Sequence, residues 1–209
     1  MMRIESVASR TDRAGRYTVH LSDGSVLRLY RQTLEDFGLY PGLELSDEQM
    51  DALRTAVGAM SAKMRAVRIV AASSVSKSDL ERRLIYKGED PQQVRDAVQW
   101  MCDMQLVDDR KTAFQVVQSC IGKGYGISRA KQALYEKRIP KQYWDEALDD
   151  YPDQTEAIVA FLRTRLGDSW EDKDLRRAMD ALLRRGHSYS QIRRGLEQLS
   201  LDVDDFREE

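Results

Sequence analysis

The sequence predicts a mainly α protein: three tandem three-helix repeats forming an elongated, gently curved body, preceded by a small β-rich N-terminal module. Three observations carry that reading. From residue 46 onward apolar residues recur every three or four positions and only three prolines remain, Pro91, Pro140 and Pro152. Three leucines, Leu84, Leu134 and Leu182, share a register of matched neighbours. The first 45 residues instead show short alternating apolar runs broken by turn residues.

Residues 3–9, 16–21 and 26–30 read as strands, with Tyr17, Val19 and Leu21, then Leu27 and Leu29, on alternate positions. Asp23-Gly24 can adopt the positive φ angles of a tight hairpin turn, and residues 12–15 offer a looser one. A short helix around residues 33–37 closes this antiparallel sheet. A sheet so small is marginal alone and must pack on the helical chain after it.

Ser46 with Gln49 three residues later is a capping-box signature for a long helix through Leu53 and Val57. Beyond it the repeat register takes over. Four residues before the three leucines stand Leu80, Ala130 and Ala178, one helical turn back on the same face. Four residues after them come Gly88, Arg138 and Gly186; ten after, Val94, Trp144 and Ile192; fourteen after, Val98, Leu148 and Leu196. Eight positions before come Ser76, Gly126 and Asp174, which tolerate or favour a helix N-cap. Six after come Asp90, Pro140 and Ser188, two of them cap residues followed by Gln93 and Gln191, with Pro91 suited to a first turn. The spacings of 50 and 48 residues give three units. The expected organisation is residues 1–45 as the β-rich module, 46–110 as a linker helix and repeat 1, 111–151 as repeat 2, and 152–209 as repeat 3 with an acidic tail. Such units bury their apolar faces against neighbours. Trp144 is expected in the core and Tyr189, just after Ser188, at the surface.

Charge narrows the function classes. Lysine and arginine number 33 against 35 aspartates and glutamates, a formal charge of -2, which excludes a bulk cationic nucleic-acid coat. Any contact with an acidic partner must come from a local patch. No apolar stretch approaches a bilayer span and residues 1–5 lack a secretory apolar region, so a cytoplasmic chain with no membrane partner is expected. Cys102 and Cys120 have no CxxC spacing and read as small core residues; with only His20 and His187 besides, no metal site, cofactor or catalytic constellation is expected.

Four strings, in order, carry a resemblance: Ser76-Lys77-Ser78-Asp79-Leu80-Glu81-Arg82-Arg83-Leu84-Ile85-Tyr86-Lys87-Gly88, Leu106-Val107-Asp108-Asp109, Gly122-Lys123-Gly124, and Arg184-Arg185-Gly186-His187-Ser188-Tyr189. Together with the tandem repeats they resemble the RecX family of bacterial RecA regulators, over roughly residues 60–200. The chain departs from the family pattern in having Tyr125-Gly126-Ile127-Ser128-Arg129 after the glycine string, Arg138 in place of a glycine, and His187 in place of a phenylalanine. The resemblance implies a regulator that binds along the RecA–DNA filament and negatively modulates its recombinase, ATPase and co-protease activities in DNA repair and the SOS response. It implies no catalytic residue, no cofactor and a monomer. The alternative is a direct DNA-binding helix-turn-helix protein acting without RecA. A tandem array without a dimerisation coiled coil favours the filament binder, with direct contact to single- or double-stranded DNA left open.

Two local features tempt toward chemistry. Gly122, Gly124 and Gly126 lack the preceding strand and the spacing of a phosphate loop and read as a flexible interhelical turn. Asp108-Asp109, with Asp103 nearby, reads as a cap for the next helix rather than a metal pair. The basic positions are the candidate site. A cation stands three residues after each register leucine, Lys87, Lys137 and Arg185, and around them lie Arg82, Arg83, Lys123, Arg129, Lys131, Arg138, Arg176, Arg177, Arg184, Arg193 and Arg194. Cations in last helical turns complement the helix dipole, which explains their position but not their number. On stacked repeats they would form a basic stripe suited to a nucleoprotein groove.

Overall fold

The structure is a computed structural model that describes residues 1–167 and 170–199; the acidic tail falls outside them. The chain divides into two compact units, residues 1–107 and 108–209. Among the described residues no helix is long and apolar enough to cross a membrane.

The first unit opens with an antiparallel sheet of β1 (Met2–Val7), β2 (Tyr17–Leu21), β3 (Val26–Leu29) and β4 (Glu44–Leu45), in the order β3-β2-β1-β4. Val19 pairs with Leu27 and Tyr17 with Leu29 across β2 and β3, while β1 slips register between Ile4 and Ser6. The hairpin turns are built by side chains. Asp23 Oδ1 accepts the Ser25 amide at 2.9 Å, and Asp12 Oδ1 accepts those of Ala14 and Arg16, each at 2.9 Å. The strands lie within two residues of their expected limits, and α1 (Arg31–Asp36) starts two residues early. β4 has no signature in the sequence: two residues carry no period, and only pairing with β1 defines them.

α2 (Asp47–Ala72) has the anticipated capping box. Ser46 Oγ accepts the Gln49 amide at 3.1 Å, and Gln49 Oε1 accepts the Ser46 amide at 2.9 Å. This helix serves two cores. Its Met50 and Leu53 are buried with Ile4, Val19, Leu21 and Leu29 of the sheet, whereas Ala66, further along, is buried with α3 (Lys77–Tyr86) and α4 (Pro91–Asp103). The sheet's core is therefore completed from beyond residue 45.

In the second unit α5 (Asp109–Gly122), α6 (Ile127–Glu136) and α7 (Trp144–Leu148) share one apolar cluster. α8 (Thr155–Leu166), α9 (Asp172–Arg184) and α10 (Tyr189–Gln198) share another. In the α5–α7 group the segment after Pro140 opens with a 3-10 turn, Lys141–Tyr143, and α7 that follows it is short. The register leucines Leu84, Leu134 and Leu182 are all buried, as are Leu80, Ala130 and Ala178 one turn earlier. Asp108 caps α5 by accepting the Lys111 amide at 3.1 Å.

Two details differ from expectation. α9 begins three residues earlier than the register suggested, so Glu171 is its N-cap and Asp174 sits at the third helical position, where its carboxylate accepts the Glu171 amide at 3.3 Å. Trp144 is half-buried rather than enclosed. It packs against the α5–α7 cluster while its Nε1 donates to the Ile139 carbonyl at 3.0 Å, which holds the ring at the surface.

Candidate functional site

Each repeat closes its register helix with the same turn. The residue four after the leucine has positive φ in all three: Gly88 at 84°, Arg138 at 55° and Gly186 at 85°. Two amides fold back each time. Gly88, Arg138 and Gly186 donate to Ile85, Tyr135 and Leu183, and the following Glu89, Ile139 and His187 donate to Leu84, Leu134 and Leu182. This is the Schellman arrangement, with the register leucine anchored inside and the next residue turned outward. Those outward residues are large and apolar in every repeat: Ile85 is 51% exposed, Tyr135 71% and Leu183 45%. Sequence reasoning missed them. The signal was present one position after each leucine but looks like an ordinary helix interior.

The helix-end cations that follow have unlike surroundings. Lys87 is exposed, and Lys137 is half-buried. Arg185 is stacked, its guanidinium 4.5 Å from the Phe161 ring centroid and 5.8 Å from that of Tyr125. Its carbonyl also accepts the Gly126 amide at 2.9 Å. The turn expected to be flexible is in fact wedged here: a Cβ on Gly126 would collide with the Gly186 carbonyl, and one on Gly186 with the Arg129 backbone. His187, buried beside it, has Nε2 3.0 Å from the Gly124 carbonyl while Nδ1 lies buried with no partner. Burial, aided by the Arg185 charge, holds the His187 pKa below its ordinary value. Tyr151 braces the same turn by donating to the Tyr125 carbonyl at 2.7 Å, its own pKa pushed up to about 12 by burial.

The structure gathers some of the basic candidates and separates others. Arg129, Arg184 and Arg185 join Tyr125 and Ala181 around a cavity of about 250 Å³, and Arg129 pairs with Glu136 at 3.1 Å. Arg138 and Lys141 flank a cavity of about 390 Å³ walled by Tyr135 and Trp144. In the first unit Arg82 and Arg83 each reach the buried Asp79 carboxylate at 2.8 Å. Arg177 lies 3.7 Å from Asp174, Arg193 3.1 Å from Glu197, and Arg194 3.7 Å from Asp153. Lys123, Lys131 and Arg176 are exposed away from these cavities.

Carboxylate and thiol chemistry is poorly furnished. Among the described residues no three of His, Cys, Asp and Glu group as metal ligands. Cys120 is buried in the α5–α7 cluster, and burial raises its pKa, which disfavours the reactive thiolate. Cys102 is half-buried beside the α2–α4 cluster.

No family model matches the chain. It is similar to the regulatory protein RecX of Xanthomonas axonopodis pv. citri, 30% identical over 133 residues, covering 62% of this chain and 82% of that protein. The same-named protein of Vibrio vulnificus is 25% identical over 140 residues, covering 66% and 92%. That of Limosilactobacillus reuteri is 26% identical over 163 residues, covering 77% of this chain and 61% of the relative, so the chain matches less than two thirds of that protein's length. Two solved structures share the fold. The crystal structure of a regulatory protein RecX aligns with TM-score 0.59 at 23% identity over 96% of this chain and 99% of that one. The crystal structure of RecX from Lactobacillus salivarius aligns with TM-score 0.57 at 20% identity over 69% and 98%.

Proposed function

This chain belongs to the RecX family of regulatory proteins, and from that premise we propose that it binds the RecA–DNA filament in the cytoplasm and lowers RecA's ATPase, strand-exchange and co-protease activities. The observation that carries the reading is the thrice-repeated helix end: Ile85, Tyr135 and Leu183 turned outward at equivalent positions, with Lys87, Lys137 and Arg185 two residues on. An apolar anchor beside a cation is a small contact. Three on one chain suit a partner that is itself a repeating polymer, because linking weak contacts raises avidity without any single strong one. The role needs no catalytic group.

The test is ATP hydrolysis by RecA on single-stranded DNA, titrated with the protein. Hydrolysis is expected to fall as protein is added, and undiminished hydrolysis at saturation overturns the reading. Replacing Ile85, Tyr135 and Leu183 together by serine is expected to shift the inhibition curve by tenfold or more in protein concentration. Those side chains are about half or more exposed, so the melting temperature should fall far less than it would for a core substitution, and the folded fraction is checked by a thermal melt. Arg185 is unsuited to this role in a test, since its stacking on Phe161 makes it structural as well.

A further inference from the structure

A second convergence of cations includes three that the repeat register never singled out. In the first unit Arg16, from the turn before β2, meets Arg65 and Arg68 of α2 and Arg83 and Lys87 from the end of α3 around one groove of about 460 Å³. Their carboxylate partners are fewer. Arg16 pairs with Asp12 at 2.8 Å and Arg65 with Glu89 at 2.7 Å, while Arg83 shares Asp79 with Arg82. Arg68 is held by neutral groups alone: Nη2 donates to the Ala14 carbonyl at 2.8 Å and to the Tyr30 hydroxyl at 3.0 Å. Lys87 has no carboxylate in reach among the described residues. The groove thus carries a standing positive surplus in a chain whose net charge is -2. Its lining also includes the apolar side chains of Ile69 and Ala72.

We propose that this groove holds the phosphodiester backbone of single-stranded DNA, and that anchoring Arg68 over it is a task of the N-terminal β-rich module. Four of the five groove cations are arginines, whose planar forks match phosphate oxygens. The apolar lining residues accept the sugars between phosphates. Beside Lys87 stands Tyr86, 90% exposed, an aromatic face free for an unpaired base. A cationic groove with a neighbouring aromatic platform is the arrangement by which proteins hold single strands without reading sequence. An acidic peptide would match the charge but leave the tyrosine idle, and a duplex keeps its bases stacked on each other. The inference goes beyond the RecA reading and stands without it.

The experiment uses the full chain and no RecA, so its failure and that of the filament reading are separable. Fluorescence anisotropy of a labelled oligothymidylate, read over a salt series, is compared with a duplex of equal length and with polyglutamate. Oligothymidylate is expected to bind most tightly. The double variant Arg68→Gln/Lys87→Gln should bind it at least tenfold more weakly and flatten the log–log salt slope by about 1.4, two single-strand contacts' worth. Tyr86→Ala should weaken binding fivefold or more while leaving that slope alone. Arg165→Gln, at an exposed position of α8 in the other unit, should change neither. Both substituted cations lack carboxylate partners, and a thermal melt checks that the double variant stays folded. Oligothymidylate binding by the folded double variant equal to that of the unaltered protein overturns the proposal, as does no binding at low salt. Polyglutamate or duplex outcompeting the single strand overturns it as well.

Discussion

At the residue scale the repeated turn shows how much one φ angle matters. Gly88 and Gly186 adopt positive φ without a Cβ penalty, whereas Arg138 takes 55° against it. Arg138→Gly is therefore expected to stabilise the protein by about 0.5–1 kcal/mol in a denaturant titration. Gly126→Ala should cost about 2 kcal/mol or more, since its new methyl meets the Gly186 backbone rather than a movable side chain. His187 adds a pH term. Its folded pKa is depressed by burial, so as pH falls below about 6.5 the unfolded chain binds a proton that the folded chain refuses, and stability drops until the folded group also titrates. Between about pH 7.5 and 5.5 the denaturation midpoint of the unaltered protein should fall further than that of His187→Gln, whose amide can still donate to the Gly124 carbonyl. Equal losses in the two would assign the pH dependence to other groups.

At the scale of elements the register leucines and α2 bear most of the packing. Leu134 is fully enclosed among α5, α6 and α7, and Leu134→Ala should cost about 2–5 kcal/mol by calorimetry. α2 makes the N-terminal module less separable than its texture suggests. Removing residues 1–45 uncovers Met50 and Leu53, which the sheet now buries, and the shortened chain is expected to self-associate in sedimentation at concentrations where the full chain does not. The sheet and the capping box were legible because hairpin turns and caps are local: Asp23 bonds to Ser25, and Ser46 to Gln49. β4 and the early start of α9 were not, because pairing with β1 and the Glu171 cap depend on partners that periodicity does not rank.

For the whole molecule, each compact unit carries its own apolar clusters: the sheet cluster and the α2–α4 cluster in residues 1–107, the α5–α7 and α8–α10 clusters in 108–209. The two halves, expressed separately, are each expected to show helical circular dichroism and a cooperative melt. A half without a cooperative transition would mean that its core depends on the other. Under the proposed function each half should also inhibit RecA more weakly than the intact chain, by more than the loss of sites alone, because linkage between contacts is gone.

The mainly helical architecture, the three equivalent leucines and the glycine-marked C-terminal ends of α3 and α9 are written in the order of residues. Those signals repeat within one or two turns of chain, and a buried leucine four residues before a glycine leaves the same trace in any context. The basic candidates were legible only as a population. Whether Arg185 meets solvent or stacks on Phe161, and whether Arg82 and Arg83 stand free or clasp a buried Asp79, depends on neighbours brought by packing. The groove of Arg16, Arg65, Arg68, Arg83 and Lys87 draws on three segments of the chain, with about fifty residues from Arg16 to Arg65 and about fifteen from Arg68 to Arg83. Each of those cations looks alone like a solvated charge, and folding makes their fields add, because charge acts through space while periodicity reads along the chain.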